Sequence, residues 1–582
     1  MLQRRRRRVT SVPLLMSTAV LAAACTNAPP PPLVEEPPTP PPSSSSAQPI
    51  PPMPTEVVVG VDDLDGGFNP HTLADLSPTS SALANLMLPS VFRPAEDGTL
   101  QLDTTLMESA EVLPDTEKFT VRYQIRREAS WSDGAPIAAE DFVYLWEQLR
   151  SQPGVSDPAG YQLIEEVSSG QGGKTVEVTF SEPFDGWRTL FTNLLPAHLL
   201  RDDPSGWATA LDDGYPASGG PFAIRQVDLD RGEIILERND RYWGAPAASD
   251  RVVLRAADET RQVDALRSGD THLAVIDADA ATHQSLRELG DEVRVTTLPR
   301  PATTQLLLRP DSRDLDQVGV REAVLAALDR QQLIAVGTGG GPAQQFPAHA
   351  QVLAPSEPGY APTEPPSPPG PDPAQVERLL GEAGYEFSAG AWVRDGRPLN
   401  LVIAAPFEND NYVRIAEEAA RQLRAQNIQA TVITPTGDQL FGEMLAANPL
   451  SSDSGASGTV DMVVAPRAAG GDPAAMMAAN YGCPAVVEEG EQPFPYNAAG
   501  YCDPLLQPTI DAALAGAVPY PEAAADVEAR IWREAIALPL YQQAQVLAVS
   551  SDVQGVSPGH GFAGPFSSAG QWVGTPADSY GY

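Results

Sequence analysis

The sequence predicts an α/β protein of more than one domain, and three observations point there. Its 582 residues exceed what one hydrophobic core supports, which sets two or three domains as the expectation. In the first half, short segments alternate apolar and polar side chains with a period of two, the mark of half-buried strands. From about residue 301, apolar helices and strands alternate, the βαβ pattern of a parallel sheet.

Composition excludes several functions. With 38 basic and 76 acidic side chains the formal net charge is -38. Lys118 and Lys174 are the only lysines; every other basic residue is Arg. Such a surface argues against binding nucleic-acid backbones, which needs a basic face. It also argues against adsorption of the folded body to an anionic membrane.

The elements follow in chain order. Residues 1–24 read as an export signal, with a basic Met1–Arg8 and a short apolar Val9–Ala24. Leu21-Ala22-Ala23-Ala24-Cys25 resembles a bacterial lipobox, which implies a lipid on Cys25; ordinary cleavage with a spare cysteine is the alternative. Removing the leader, which holds Arg4–Arg8 and no acid, would take the net charge from -38 to -43. Residues 29–54 hold 13 Pro in 26 positions, so 25–54 is expected to be an extended, semi-rigid tether. The protein is therefore expected at the extracytoplasmic face of the plasma membrane, anchored by lipid.

From Thr55 the texture is globular. Glu56–Val61 predicts a strand, followed by the turn-rich 62–70. Phe119, Val121, Tyr123 and Ile125 alternate with polar neighbours, as do Val176, Val178 and Phe180, and Glu233–Arg238 repeats the pattern. Phe142, Val143, Leu145, Trp146 and Leu149 share one helical face. Helices are expected over Val320–Leu328, Ala374–Ala383 (ended by a left-handed Gly384) and Tyr412–Ala425. Strands are expected over Leu399–Ala404, Ala430–Thr434 and Asp461–Val464. Residues 355–373 and 448–458 read as loops. Cys483 and Cys502 stand in an exported, disulfide-permissive setting and are expected to form a bridge.

The six His are scattered, with no helical metal spacing. There is no Gly-x-Ser-x-Gly and no Ser-x-x-Lys. Gly337–Gly341 lacks the Lys-Ser or Lys-Thr of a phosphate loop and reads as a turn. No metal or cofactor is expected, and nothing recommends an enzyme.

The segment Trp131-Ser132-Asp133-Gly134-Ala135-Pro136-Ile137-Ala138-Ala139-Glu140-Asp141-Phe142 resembles the signature of the family 5 extracellular solute-binding proteins, the peptide- and nickel-type receptors of ABC importers. Gly219-Gly220-Pro221-Phe222, Arg238-Asn239-Asp240-Arg241-Tyr242-Trp243-Gly244 and Leu538-Pro539-Leu540-Tyr541 agree in order. The resemblance implies a two-lobed, periplasmic-binding-protein-like α/β fold of type II, with an extra domain and a discontinuous first lobe. Carried over, that lobe would use 55–92, 213–300 and 530–582, the extra domain 93–212, and the second lobe 301–529. Trp131 and Trp243 are expected in the core.

A second set of segments, including Leu88-Pro89-Ser90-Val91-Phe92-Arg93-Pro94, Tyr481-Gly482-Cys483-Pro484 and Gly570-Gln571-Trp572-Val573, is similar to a mycobacterial subset of that family. Its lipoproteins bind a phosphatidylinositol mannoside and control its partition into lipomannan and lipoarabinomannan synthesis. The resemblance thus implies a glycolipid in the inter-lobe cleft, with envelope mannosyltransferases as partners. The alternative is a peptide in the cleft and an ABC permease as partner.

One departure favours the first. Peptide-binding members carry an Asp three residues before an Asp-Pro, which holds the peptide ammonium, and a Trp close before it. Here the Asp-Pro is Asp472-Pro473, the anchor position is Ala469 and the Trp position is Pro466. Arg467, placed in a loop by this reading, would suit phosphate. The candidate ligand contacts are therefore Asp75, Ser77, Gly220, Phe222, Arg467 and Asp472, with Arg300 and Arg309 in reserve.

Overall fold

A computed structural model describes residues 54–576, apart from 65, 96, 115, 367–369, 447–459, 470, 485–496 and 562–563. The expected signal, the lipid site Cys25, the tether and the 448–458 loop lie outside the described residues, except for the tether's last position, residue 54.

One large sheet runs through both lobes. Its strand order is Gln429–Ile433, Asn400–Ala404, Met462–Ala468, Val293–Leu308, Ala537–Ser550, Leu273–Ile276, Thr55–Val61, Arg251–Ala256, Glu233–Arg238 and Phe222–Asp228. Thr55–Val61 pairs in parallel with both of its long neighbours, and Asn400–Ala404 does the same in the other lobe. Two long antiparallel strands, Val293–Leu308 and Ala537–Ser550, connect the lobes. Their pairing breaks between Pro299 and Thr303, where Pro299 and Pro301 bring no N–H to a ladder. The first lobe is discontinuous in sequence, as Thr55–Val61, Leu273–Ile276 and Ala537–Ser550 lie side by side.

Hydrophobic cores flank the sheet in each lobe. In the second, the helix Asp410–Ala425 buries Ile415, Ala416, Ala419, Ala420 and Leu423, a single stripe at the spacing of an amphipathic helix. Pro373–Glu382 ends as read from the sequence, with Gly384 at φ 84°. The helices and strands expected from residue 301 onward lie within about three residues of their positions.

A separate four-stranded antiparallel sheet runs Met107–Val112, Thr120–Ile125, Thr175–Phe180, Ile164–Gly170. Val121, Tyr123, Ile125, Val176, Val178 and Phe180 all face inward and are buried. The helix Ala139–Ser151 covers this face with Phe142, Leu145 and Leu149. Tyr144 is buried as well, whereas Val143 and Trp146 are half-buried.

The Trp131–Phe142 segment acts through Asp141. Its Oδ2 accepts from Ala138 N at 2.9 Å and from Trp131 Nε1 at 3.3 Å, and its Oδ1 from Ala197 N at 3.0 Å. Ala138 offers no side-chain cap, and Asp141 ties the helix start to the Trp131 turn. Burial pushes its carboxyl up to about 6, against the pull of these donors. Trp131 is fully buried, and Trp243 is half-buried with Nε1 donating to Thr105 O at 2.6 Å. This stretch is a folding device, and its Trp and Asp are committed to it.

Cys483 and Cys502 form a disulfide with Cα atoms 4.5 Å apart. It ties the end of the helix Pro473–Tyr481 to the approach of Gln507–Leu514, and Gln507 Oε1 accepts from Cys483 N at 2.6 Å. Replacing both cysteines with Ser is expected to lower stability by about 3 kcal/mol, the loop-closure contribution for this separation. A urea midpoint that is the same for wild type and double mutant would contradict this.

Candidate functional site

The carboxyl ends of parallel strands from both lobes open onto one cleft of about 540 Å³, a size typical of small-molecule sites. Asp62 follows Thr55–Val61, Asp277 follows Leu273–Ile276, and Phe407 to Asn409 follow Asn400–Ala404. This is the position at which open α/β sheets hold ligands.

The lining is strongly acidic. Lobe one contributes seven carboxylates, among them Asp62, Asp75 and Asp277, and lobe two contributes Glu408 and Asp410. Arg414 is the single cation among the described lining residues. Neutral polar groups include Ser77, Thr304, Asn409 and Gln543, and aromatic faces come from Phe407, Phe441, Tyr412 and Tyr541. Gln543 Nε2 donates to Tyr412 Oη at 2.6 Å and to Thr304 Oγ1 at 3.3 Å across the hinge strands.

Three of the carboxyls, Asp62, Asp75 and Asp277, are held above their ordinary range. Asp277 N donates to Asp62 Oδ2 at 2.8 Å, so the two acids are neighbours. Enclosure by protein raises both; the charge of Asp277 adds to the rise of Asp62 and that of Glu259 to the rise of Asp277, while the nearby Arg300 guanidinium pulls Asp277 back. The Asp277 side chain is exposed to the water of the cleft, which tempers the enclosure effect without reversing it. Asp75 is buried and pushed up to about 7 by that burial, with the charges of Asp438 and Asp212 adding to it. Near neutral pH the cleft therefore offers carboxylate acceptors beside Asp75, which is poised between its two protonation states.

The structure brings together only some of the residues picked from sequence. Asp75 and Ser77 line the cleft. Ser77 also caps the helix Pro78–Met87 by accepting from Ser80 N at 3.0 Å. Gly220 and Phe222 belong to the core instead. A Cβ at Gly220 would fall 2.4 Å from Leu86 O, and Phe222 is fully buried. Asp472 caps the helix Pro473–Tyr481, accepting from Ala475 N at 2.8 Å, and does not line the cleft.

Arg467 is corrected most. It lies in the strand Met462–Ala468, not in a loop, opposite Thr303. Neighbouring Pro466 faces the cleft, so strand alternation turns Arg467 to the other side. It is 1% exposed, with Nη2 3.5 Å from Leu353 O. The reserves are also committed. Arg309 is buried against Asp311 and Leu445 O, and Arg300 is buried and donates to Gln545 Oε1 at 3.3 Å.

Asp62, Asp277, Glu408 and Arg414 escaped the sequence reading. The first three sit just past the ends of parallel strands, and that position was the available signal. Among the described residues no group of three or more His, Cys, Asp and Glu side chains could hold a metal ion. No helix of the described residues is long and apolar enough to cross a membrane.

The lobes touch beside the cleft through glycines. Ala280 N donates to Gly339 O at 3.3 Å, and a Cβ added at Gly341 would fall 1.8 Å from Ala278 O. Gly341 has φ -75°, so its backbone suits any residue and only this contact demands glycine. Gly341→Ala is thus expected to hold the lobes apart with little change in the unfolding midpoint. Small-angle scattering should show a larger radius of gyration; an unchanged radius would contradict the contact.

Comparison with known proteins agrees with this geometry. The profile of the bacterial extracellular solute-binding proteins, family 5, middle region, matches residues 102–486. The chain is 36% identical to the probable monoacyl phosphatidylinositol tetramannoside-binding protein LpqW of Mycobacterium tuberculosis, over 90% of this chain and 92% of LpqW. It is 25% identical to the oligopeptide-binding protein OppA of Mycobacterium bovis, over 66% of this chain and 65% of OppA. In fold it is similar to the oligopeptide-binding protein AppA of Bacillus subtilis, solved with a nonapeptide. The TM-score is 0.70 at 17% identity, covering 90% of this chain and all of AppA, 100%. The two lobes, the paired crossing strands and the cleft between them are the type II binding-protein architecture, and the chain belongs to the bacterial extracellular solute-binding proteins of family 5.

Proposed function

We propose that this protein closes its lobes on the mannosylated head of a phosphatidylinositol mannoside, while a lipid on Cys25 keeps it at the extracytoplasmic face of the plasma membrane. The observation that supports this best is the cleft lining: nine carboxylates among the described residues, with amides, hydroxyls and aromatic faces between them. A sugar presents hydroxyl donors on its edges and apolar C–H groups on its faces. Carboxylates accept strongly from the first, and Phe407, Phe441 and Tyr412 can cover the second. The likeness to LpqW supports the same ligand class. Withdrawing such an intermediate into a closed cleft would regulate its partition into lipomannan and lipoarabinomannan, with envelope mannosyltransferases as partners.

A second reading is a peptide receptor working with an ABC permease. The acidity of the cleft favours it, since carboxylates also suit ammonium groups, as does the likeness to OppA. Against it, the position that would hold the peptide ammonium is Ala469, which is buried and apolar. An ammonium taken from water without a carboxylate partner there costs several kcal/mol.

Calorimetric titration of the mature protein in detergent separates the two. Phosphatidylinositol mannosides are expected to bind and short peptides are not; tight peptide binding without mannoside binding would move the protein to the importer receptors. Independently, Cys25→Ser is expected to shift the protein from the membrane fraction to the soluble one. A mutant that stays fully in the membrane fraction would remove the anchor from this reading.

A further inference from the structure

We infer that Arg414 reads the phosphodiester of the ligand and thereby decides which end of an amphiphile enters the cleft, an inference that rests on the glycolipid reading above. A phosphodiester carries a full negative charge at every physiological pH. In a cleft lined by nine carboxylates it is repelled almost everywhere. Arg414 is the one place on the described lining where that charge meets a cation.

The other arginines considered above do not line the cleft. Arg300 is tied to Gln545 and Ser81 and feels Asp277 and Asp62. Arg309 is paired with Asp311. Arg467 is turned away behind the sheet. Arg414 differs from all three. It is exposed, it stands in the second turn of the helix Asp410–Ala425, and it makes no ion pair among the described residues. Its Nη2 donates to Asn411 Oδ1 within the same helix, which leaves the rest of the guanidinium fork for a bidentate contact with phosphate oxygens. Arg414 and Tyr541 of the hinge strand line the same cleft.

This arrangement gives the ligand a direction. The phosphodiester sits on the wall of lobe two at Arg414. The glycan extends from there toward Asp62, Asp75 and Asp277 of lobe one, whose carboxyls accept from hydroxyls and reject a second anion. Phe407, 54% exposed and carried by the same lobe just before that helix, offers an apolar surface to the chain that follows the phosphodiester.

The test compares wild type, Arg414→Ala and Arg414→Lys of the mature protein against three probes: a deacylated phosphatidylinositol mannoside, phosphate-free mannotetraose and inorganic phosphate. Arg414→Ala is expected to weaken the deacylated mannoside about ten- to hundredfold, the range for a charge-assisted contact, and to leave mannotetraose unchanged. Arg414→Lys should recover part of the loss, because it restores the charge but not the fork. Added salt should weaken the wild type more than the Ala variant. Equal losses for mannoside and mannotetraose, or no loss for either, would overturn the role of Arg414 while leaving the glycolipid reading intact. Wild type that binds neither sugar would overturn both. Inorganic phosphate binding as tightly as the mannoside would show an anion site with no part in directing the glycan.

Discussion

The pairing of Val293–Leu308 with Ala537–Ser550 is the interaction on which the rest of the molecule depends. These strands carry one sheet across two lobes, so their ladder is at once part of the core of each lobe and a paired connection between them. Ladder hydrogen bonds buried on both faces are costly to break, which keeps the lobes from shearing past one another. The ladder shifts register between Thr304 and Gln305 and is interrupted between Pro299 and Thr303. There Gln542 Nε2 donates to Arg300 O at 2.9 Å, a side-chain contact standing in for ladder bonds. The connection is thus stiff in the plane of the sheet and interrupted where the lobes must turn.

The same crossing gathers the charge of the cleft. Strands that run in parallel within each lobe end on the same side, so their carboxyl-terminal residues converge on one cleft. Because several of those residues are acids, convergence encloses them together; burial, with neighbouring charges adding to it, raises Asp62, Asp75 and Asp277 above the usual range. Each raised carboxyl makes ionisation work against the compact state as pH climbs from the ordinary carboxylate range through its shifted value. Such a cost at a cleft is characteristic of a site arranged for binding. The lobes still close at its edge because Gly341 leaves room where any Cβ would meet the Ala278 carbonyl.

Local structure was readable to a considerable depth. Period-two alternation located Thr120–Ile125 and Thr175–Phe180, and the apolar stripe located Asp410–Ala425, because burial of one face leaves its period in the order of residues. The signature around Trp131 and Asp141 identified the family, although Asp141 works as a cap for a helix start and not as a ligand contact. The segment Gly337–Gly341 reads from the sequence as a turn, but Gly337 and Thr338 end the helix Arg330–Thr338 and only Gly339–Gly341 turn, at the place where two lobes meet.

Amino-acid order by itself determined the helices and strands and the family, since these depend on neighbours along the chain or on short motifs. Tertiary structure alone decided the site. Strand alternation turned Arg467 away from the cleft and Pro466 toward it, a choice set by pairing with Thr303 in a strand more than 150 residues earlier. It also moved Phe222 and Gly220 into the core, and it gathered Asp62, Asp277, Glu408 and Arg414 from distant segments. With 76 acids in the chain, no single one stands out until the sheet places it, because a charge acquires meaning only from the charges folded beside it.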